Sequence, residues 1–173
     1  TQVVYLAWDD RTRRSVIREQ LCLEWASTQR MPVPSVVGWG EGWLITERVA
    51  SDQPQGKHYV TAALEVAERI ARLEPPDELM EPGEDRGARP AGTAERARRL
   101  GSILGSPLPL REFRNVRRRA LALPRTETTH GDFTPWNVLW DSSAGHVHIV
   151  DWEALGRGPF ALDPLTLWPQ LEH

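Results

Sequence analysis

The chain has 173 residues and 19.6 kDa, with 40% hydrophobic and 26% charged residues, so it can bury a core and wholesale disorder is excluded. It has no apolar run of about eighteen residues and no basic, then apolar, N-terminal stretch, which excludes a spanning helix and leaves no sign of a signal peptide. A net charge of −3 and a pI near 6.0 argue against a general nucleic-acid binder, and a single cysteine, Cys22, excludes an internal disulfide, leaving a reducing cytoplasm as the expected compartment.

In chain order, Val3 to Trp8 reads as a strand that ends at the Asp9-Asp10 turn. A helix is expected from Arg14 to Ser27, its apolar positions being Val16, Ile17, Leu21, Leu23 and Trp25. Cys22 reads as a small core residue on that helix. Pro32-Val33-Pro34 stops the helix and favours extended backbone. Ser35 to Trp39 and Trp43 to Val49 then form a hairpin around Gly40-Glu41-Gly42. The polar run Ser51 to Gly56 is the expected boundary between two parts of the chain. Beyond it, His58 to Leu73 is the cleanest amphipathic helix, with Val60, Ala63, Leu64, Ala67, Ile70 and Ala71 on one face. Residues Glu74 to Gly92, rich in Pro, Gly and charge, read as a surface loop. Two shorter helices are expected at Thr93 to Leu104 and Leu110 to Leu121. Between Arg86 and Arg125 lie eleven arginines and only two acids, read here as a solvated face of those helices. A last helix is expected near Asp163-Pro164.

The segment with chemical content runs from His130-Gly131-Asp132 through Asn137 and an apolar strand, then through Val147 to Val150 into Asp151-Trp152-Glu153. Asp132 and Asn137 sit in a Gly- and Pro-containing loop, and the turn Asp141 to Gly145 returns the chain, so Asp151 comes back beside Asn137. Two carboxylates and one amide oxygen at one end of a strand pair are hard ligands that suit Mg²⁺. Phosphoryl transfer needs such a set: a carboxylate to orient the acceptor hydroxyl, and metal ions against the charge of the transferred group. The spacing from Asp132 to Asn137, with Asp151 downstream, matches that of kinase catalytic and metal-binding residues. His146 and His148 alternate on one strand face and could bind a metal, but without an evident third ligand of that type they read as exposed strand histidines. A hydrolytic metal site of His130, Asp132, His148 and Asp151 is one alternative to phosphotransfer.

The combined pattern resembles the aminoglycoside phosphotransferase and choline kinase family: His130-Gly131-Asp132, four residues, Asn137, then Asp151-Trp152-Glu153, Gly158 and Asp163. Upstream, MPVPSVVGWGEGWLITERV is similar to the family's approach to its hinge, and the likeness runs from about Glu19 to Trp168. The resemblance implies an α+β, protein-kinase-like, two-lobed fold, with a partial N-terminal β lobe over 1–50 and a mostly helical C-terminal lobe over 51–173. It implies that Asp132 is the catalytic base, that His130 braces its loop, and that Asn137 and Asp151 hold Mg²⁺. It further implies that Glu47, Arg48 and Val49 are the hinge that meets the nucleotide base, that Glu19 pairs with a strand lysine at the phosphates, and that Asp163 fixes the loop or caps the last helix. The donor would be ATP or GTP and the acceptor a hydroxyl of an antibiotic or metabolite, with no membrane or nucleic-acid partner.

The chain departs from the family pattern at the strand lysine. The matching position is Ala7, and Lys57, the only lysine, lies beyond the hinge. The glycine-rich nucleotide loop that should precede this strand is not in the sequence, so the chain is expected to be a piece of a longer protein. The alternative is a kinase-fold binding module without turnover.

Overall fold

The computed structural model describes residues 1–52, 56–80, 118, 125–159 and 162–167. The two helices expected between residues 93 and 121 lie outside these, apart from Arg118, which is helical.

A three-stranded antiparallel sheet opens the chain. Strands β1 (Gln2–Leu6), β2 (Val36–Gly40) and β3 (Trp43–Glu47) are ordered β1-β3-β2, with Tyr5 opposite Leu44 and Gly40 opposite Trp43. Helix α1 (Asp10–Thr28) packs on the sheet and begins four residues before the apolar pattern indicates. Its start is set by a capping box: Asp9 accepts from the Thr12 N–H at 2.7 Å, and the Thr12 hydroxyl oxygen accepts from the Asp9 N–H at 3.1 Å. Asp9 is therefore a helix cap and not the end of a strand turn. The helix closes through Arg30, whose φ of 56° is the left-handed conformation that ends helices.

The buried face of α1 is Val16, Glu19, Gln20, Cys22, Leu23 and Ala26. Ile17 and Leu21, expected inside, are 39% and 44% exposed. The helix is rotated from its apolar average because two polar side chains, Glu19 and Gln20, turn inward. Trp8, Trp39 and Trp43 are likewise exposed, whereas Trp152 is fully buried.

Helix α2 (Gly56–Ala71) buries Tyr59, Ala63, Val66, Ala67 and Ile70 in the core shared with Phe133, Val138, Ile149 and Trp152. The Tyr59 ring meets Trp140 edge-on with centroids 6.2 Å apart. Residues 74–80 are not a loose loop: a 3-10 turn at Asp77–Leu79 buries Leu79.

Four further strands follow. The hairpin β5 (Val138–Asp141) and β6 (His146–Ile149) pairs Val138 with Ile149 at one end and Asp141 with His146 at the other. Strands β4 (Arg125–Thr129) and β7 (Gly156–Pro159) pair antiparallel around it in sequence, and neither is among the strands expected from sequence. A 3-10 turn at Trp152–Ala154 joins β6 to β7, and a short helix α3 (Leu162–Leu167) follows. Two ties fix the hairpin against the first part of the chain. The Ile149 N–H donates to the Pro32 carbonyl at 2.7 Å, and the Asp52 N–H donates to the Trp140 carbonyl at 2.8 Å.

Candidate active site

The loop from His130 to Asn137 is pinned from below. Asp163 on α3 is 3% exposed, and its carboxylate accepts from the His130 N–H at 2.6 Å and the Gly131 N–H at 3.1 Å. Burial pushes its carboxyl up to about 7, while the two backbone donors pull it down. Of the two roles open to Asp163 from sequence, the geometry is that of fixing the loop.

His130 is fully buried between Phe133 and Trp152, with ring centroids 5.9 and 5.1 Å away. Its Nε2 lies 3.1 Å from the Val150 carbonyl, which only accepts, so the proton sits on Nε2. Burial holds the ring's pKa down to about 4, so it is a neutral strut between the loop and the end of the hairpin. Gly131, at φ 82°, lets the backbone pass so close to the 152–154 turn that a Cβ would lie 2.3 Å from the Ala154 carbonyl oxygen.

These constraints aim Asp132 at Asn137. The Asn137 Nδ2 donates to the Asp132 carbonyl at 2.9 Å and to its Oδ2 at 3.3 Å, and it reaches Asp151 Oδ2 at 3.4 Å. Asn137 itself is 6% exposed, and its carbonyl accepts from the Val150 N–H at 3.0 Å. Asp151 stands at φ 64°, ψ 57°, a left-handed conformation that aspartate tolerates better than most residues and that recurs at functional sites. One amide thus lies between two carboxylates, and with the amide turned over its oxygen would join theirs in a hard-oxygen set that fits a divalent cation such as Mg²⁺.

Glu19 reaches this cluster from α1. Its Oε1 accepts from the Asp151 N–H at 3.1 Å, while Oε2 is buried without a partner among the described residues. Burial, then the neighbouring Asp151 charge, push its carboxyl up to about 8. No lysine stands on β1. Tyr5, half-buried, is the β1 side chain in the field of Glu19 and Asp151, and burial and those two charges raise its phenol. Ala7, the position matched to the lysine, packs instead at the edge of the core.

Glu47, Arg48 and Val49 line a cleft of about 640 Å³ that also touches Tyr5, Trp136 and Val150. The Glu47 N–H donates to Ser35 and the Arg48 N–H to Thr1, so of the three only the Val49 N–H has no backbone partner among the described residues. Trp136 is on the cleft wall.

Sequence reasoning missed Arg18. Its guanidinium donates to the carbonyls of Glu153 at 2.6 Å, Leu155 at 2.8 Å and Leu79 at 2.8 Å, clamping α1 to the turn that follows Asp151. It also missed Asp52, whose carboxylate accepts from the Ser142 N–H and hydroxyl at the hairpin turn. Neither had a signal in its neighbours, since both partners lie far along the chain. The set His130, Asp132, His148 and Asp151 does not assemble: the His148 Nε2 lies 2.8 Å from His146 on the outer face of the hairpin.

The chain has counterparts among known proteins. The phosphotransferase enzyme family matches residues 3–172, and the chain belongs to that family. Among solved structures, an aminoglycoside-3'-phosphotransferase of type VIII is 22% identical with a TM-score of 0.60, covering 99% of this chain and 69% of that one. The ADP-bound aminoglycoside phosphotransferase APH(2'')-Ib is 14% identical with a TM-score of 0.60, covering 98% and 71%. A macrolide 2'-phosphotransferase from Brachybacterium faecium is 14% identical with a TM-score of 0.54, covering 99% and 69%. The fold is therefore the protein-kinase-like fold of these enzymes. No curated protein matches by sequence. No helix among the described residues is long and apolar enough to cross a membrane.

Proposed function

We propose that the chain is the catalytic part of a small-molecule O-phosphotransferase that moves the γ-phosphate of ATP or GTP to a hydroxyl of an antibiotic or metabolite. The observation that carries this reading is the Asn137 amide held between the carboxylates of Asp132 and Asp151, with the loop pinned by Asp163. Asp132 orients the acceptor hydroxyl and takes its proton as the oxygen attacks. Asn137 and Asp151 would hold Mg²⁺, which supplies charge neutralisation on the transferred group when bound. His130 positions the loop. Residues 1–50 form the nucleotide lobe and 51–173 the catalytic lobe. In the cleft that Tyr5 and Val150 help to line, the base would lie along Glu47 to Val49, with the Val49 N–H as the hinge donor without a backbone partner among the described residues. Relatives whose structures hold ADP or streptomycin with ATP support a nucleotide donor.

The test pairs two substitutions. Asp132→Asn is expected to lower transfer by about 10²–10⁴-fold while leaving nucleotide binding intact. Asp151→Asn is expected to abolish the Mg²⁺ dependence of nucleotide binding in calorimetric titration. Full transfer by the Asp132→Asn chain would refute the assignment. A second reading, a nucleotide-binding module without turnover, is favoured by Tyr5 facing Glu19 on a strand that carries no lysine. Mg²⁺-dependent binding with no transfer to any hydroxyl acceptor would select it.

A further inference from the structure

We infer that Asp141, His146 and His148 form a transition-metal site of the zinc class at the turn end of the β5–β6 hairpin, separate from the Asn137–Asp151 cluster at its other end. The pairing register makes the site: Asp141 stands opposite His146, and His148 lies two residues on, on the same face as His146. One ligand atom from each of the three lies within 4.8 Å of the others. The two imidazole Nε2 atoms face each other at 2.8 Å. Nitrogens bound to one tetrahedral zinc ion lie about 3.3 Å apart, so seating an ion needs His146 to swing outward by about half an ångström. His146 is exposed and free of core packing, so that movement is open to it.

The carboxylate is already oriented. Asp141 Oδ1 accepts from the N–H groups of Ser143 and Ala144, both at 3.0 Å, and from the Ser143 hydroxyl at 2.6 Å. Among the described residues these bonds all fall on Oδ1 and none on Oδ2, and a carboxylate oxygen of Asp141 lies within 4.8 Å of the histidine ligand atoms. A ligand held by such outer bonds binds better than a mobile one. Two imidazoles and one carboxylate suit Zn²⁺ or its neighbours, whereas the oxygen set around Asn137 suits Mg²⁺. Three protein ligands leave a fourth position for water or an incoming group.

The experiment uses the chelator-treated chain without an affinity tag. Zn²⁺ is titrated by calorimetry in excess Mg²⁺, and Co²⁺ is added in parallel to read visible absorption. The expected result is one tight Zn²⁺ equivalent, undisturbed by Mg²⁺, and the absorption of a four-coordinate Co²⁺ site without a thiolate charge-transfer band. His146→Gln and His148→Gln, each made separately, are expected to weaken Zn²⁺ binding by about tenfold or more. Because His146 is exposed, its variant keeps the fold, and far-ultraviolet circular dichroism checks this. Zn²⁺ binding unchanged in the folded His146→Gln chain, a Co²⁺–thiolate band from Cys22, or no Zn²⁺ binding at all would each overturn the site.

Discussion

Substituting Gly131 separates two costs that usually arrive together. The residue has φ 82°, and a Cβ there would lie 2.3 Å from the Ala154 carbonyl oxygen and 3.2 Å from both its carbonyl carbon and Cβ. A carbon–oxygen contact rests near about 3.3 Å, so the loop or the 152–154 turn must open by about 1 Å. Neither is the far end of a flexible side chain. The left-handed backbone costs an alanine about 1–2 kcal/mol, and overpacking adds about 1–3 kcal/mol. The sum, about 3 kcal/mol, corresponds to a fall in Tm of about 10 °C for a chain of this size. Gly145 is the internal control: its φ is 68°, yet a Cβ there meets nothing within 4 Å. Gly145→Ala therefore carries the backbone cost alone and lowers Tm by about 4 °C. Scanning calorimetry of both variants measures the difference. Equal falls in Tm would refute the steric argument and show that backbone conformation alone accounts for Gly131. Because Gly131 precedes Asp132, its variant should also lose transfer by about 10²-fold, a loss that Gly145→Ala should not show.

Two further substitutions test the ties from α1. The Glu19 carboxyl is raised from 4.5 to about 8, so folding takes up a proton between those values. Its contribution to stability is fully present below pH 4.5 and is lost as pH rises through about 8. Glu19→Gln keeps an oxygen for the Asp151 N–H but does not ionise, so its Tm relative to the unsubstituted chain should rise between about pH 4.5 and about pH 8 and level off above that. A pH-independent difference would show that Glu19 is not buried as a neutral acid. Arg18→Gln removes three charge-assisted bonds to carbonyls and should cost about 2–3 kcal/mol, read by thermal unfolding, whereas a change below about 0.5 kcal/mol would mean that the clamp is not formed in solution.

How much of this was legible in the sequence depends on whether the relevant signal is local. The β5–β6 hairpin was legible because alternating apolar residues flank a turn of Asp, Ser and Gly, and the return of Asp151 beside Asn137 follows from that register. β4 was not, because Arg125-Thr126-Glu127-Thr128-Thr129 has no apolar alternation. β7 was not, because Gly156-Arg157-Gly158-Pro159 carries the residues that ordinarily mark a loop. Both hold as strands only because each has the other as partner. The phase of α1 failed for a related reason. Hydrophobicity alone points Ile17 and Leu21 inward, but the fold turns Glu19 and Gln20 in, with Glu19 accepting from the Asp151 N–H. Asp141 was read as a turn residue, so the third ligand beside His146 and His148 emerged only when the register set it opposite His146.

The missing strand lysine takes on a different meaning against the α1 contacts. Arg18 and Glu19 are adjacent and grip the same turn with opposite polarity. Arg18 donates to the carbonyls of Glu153 and Leu155, while Glu19 accepts from the Asp151 N–H. Between them they fix the backbone on both sides of Trp152, and Asp151 is held in its left-handed conformation with its carboxylate at Asn137. Neither contact needs a cation on β1. An ionised glutamate buried at this depth beside Asp151 would be costly, but a neutral one still accepts the Asp151 N–H, and a carboxyl raised to about 8 is largely neutral at pH 7. The helix can thus position Asp151 by backbone hydrogen bonding where a lysine–glutamate pair would otherwise couple strand and helix. A positive charge at the phosphates of a bound nucleotide would be a separate function, bearing on nucleotide grip rather than on the placement of Asp151.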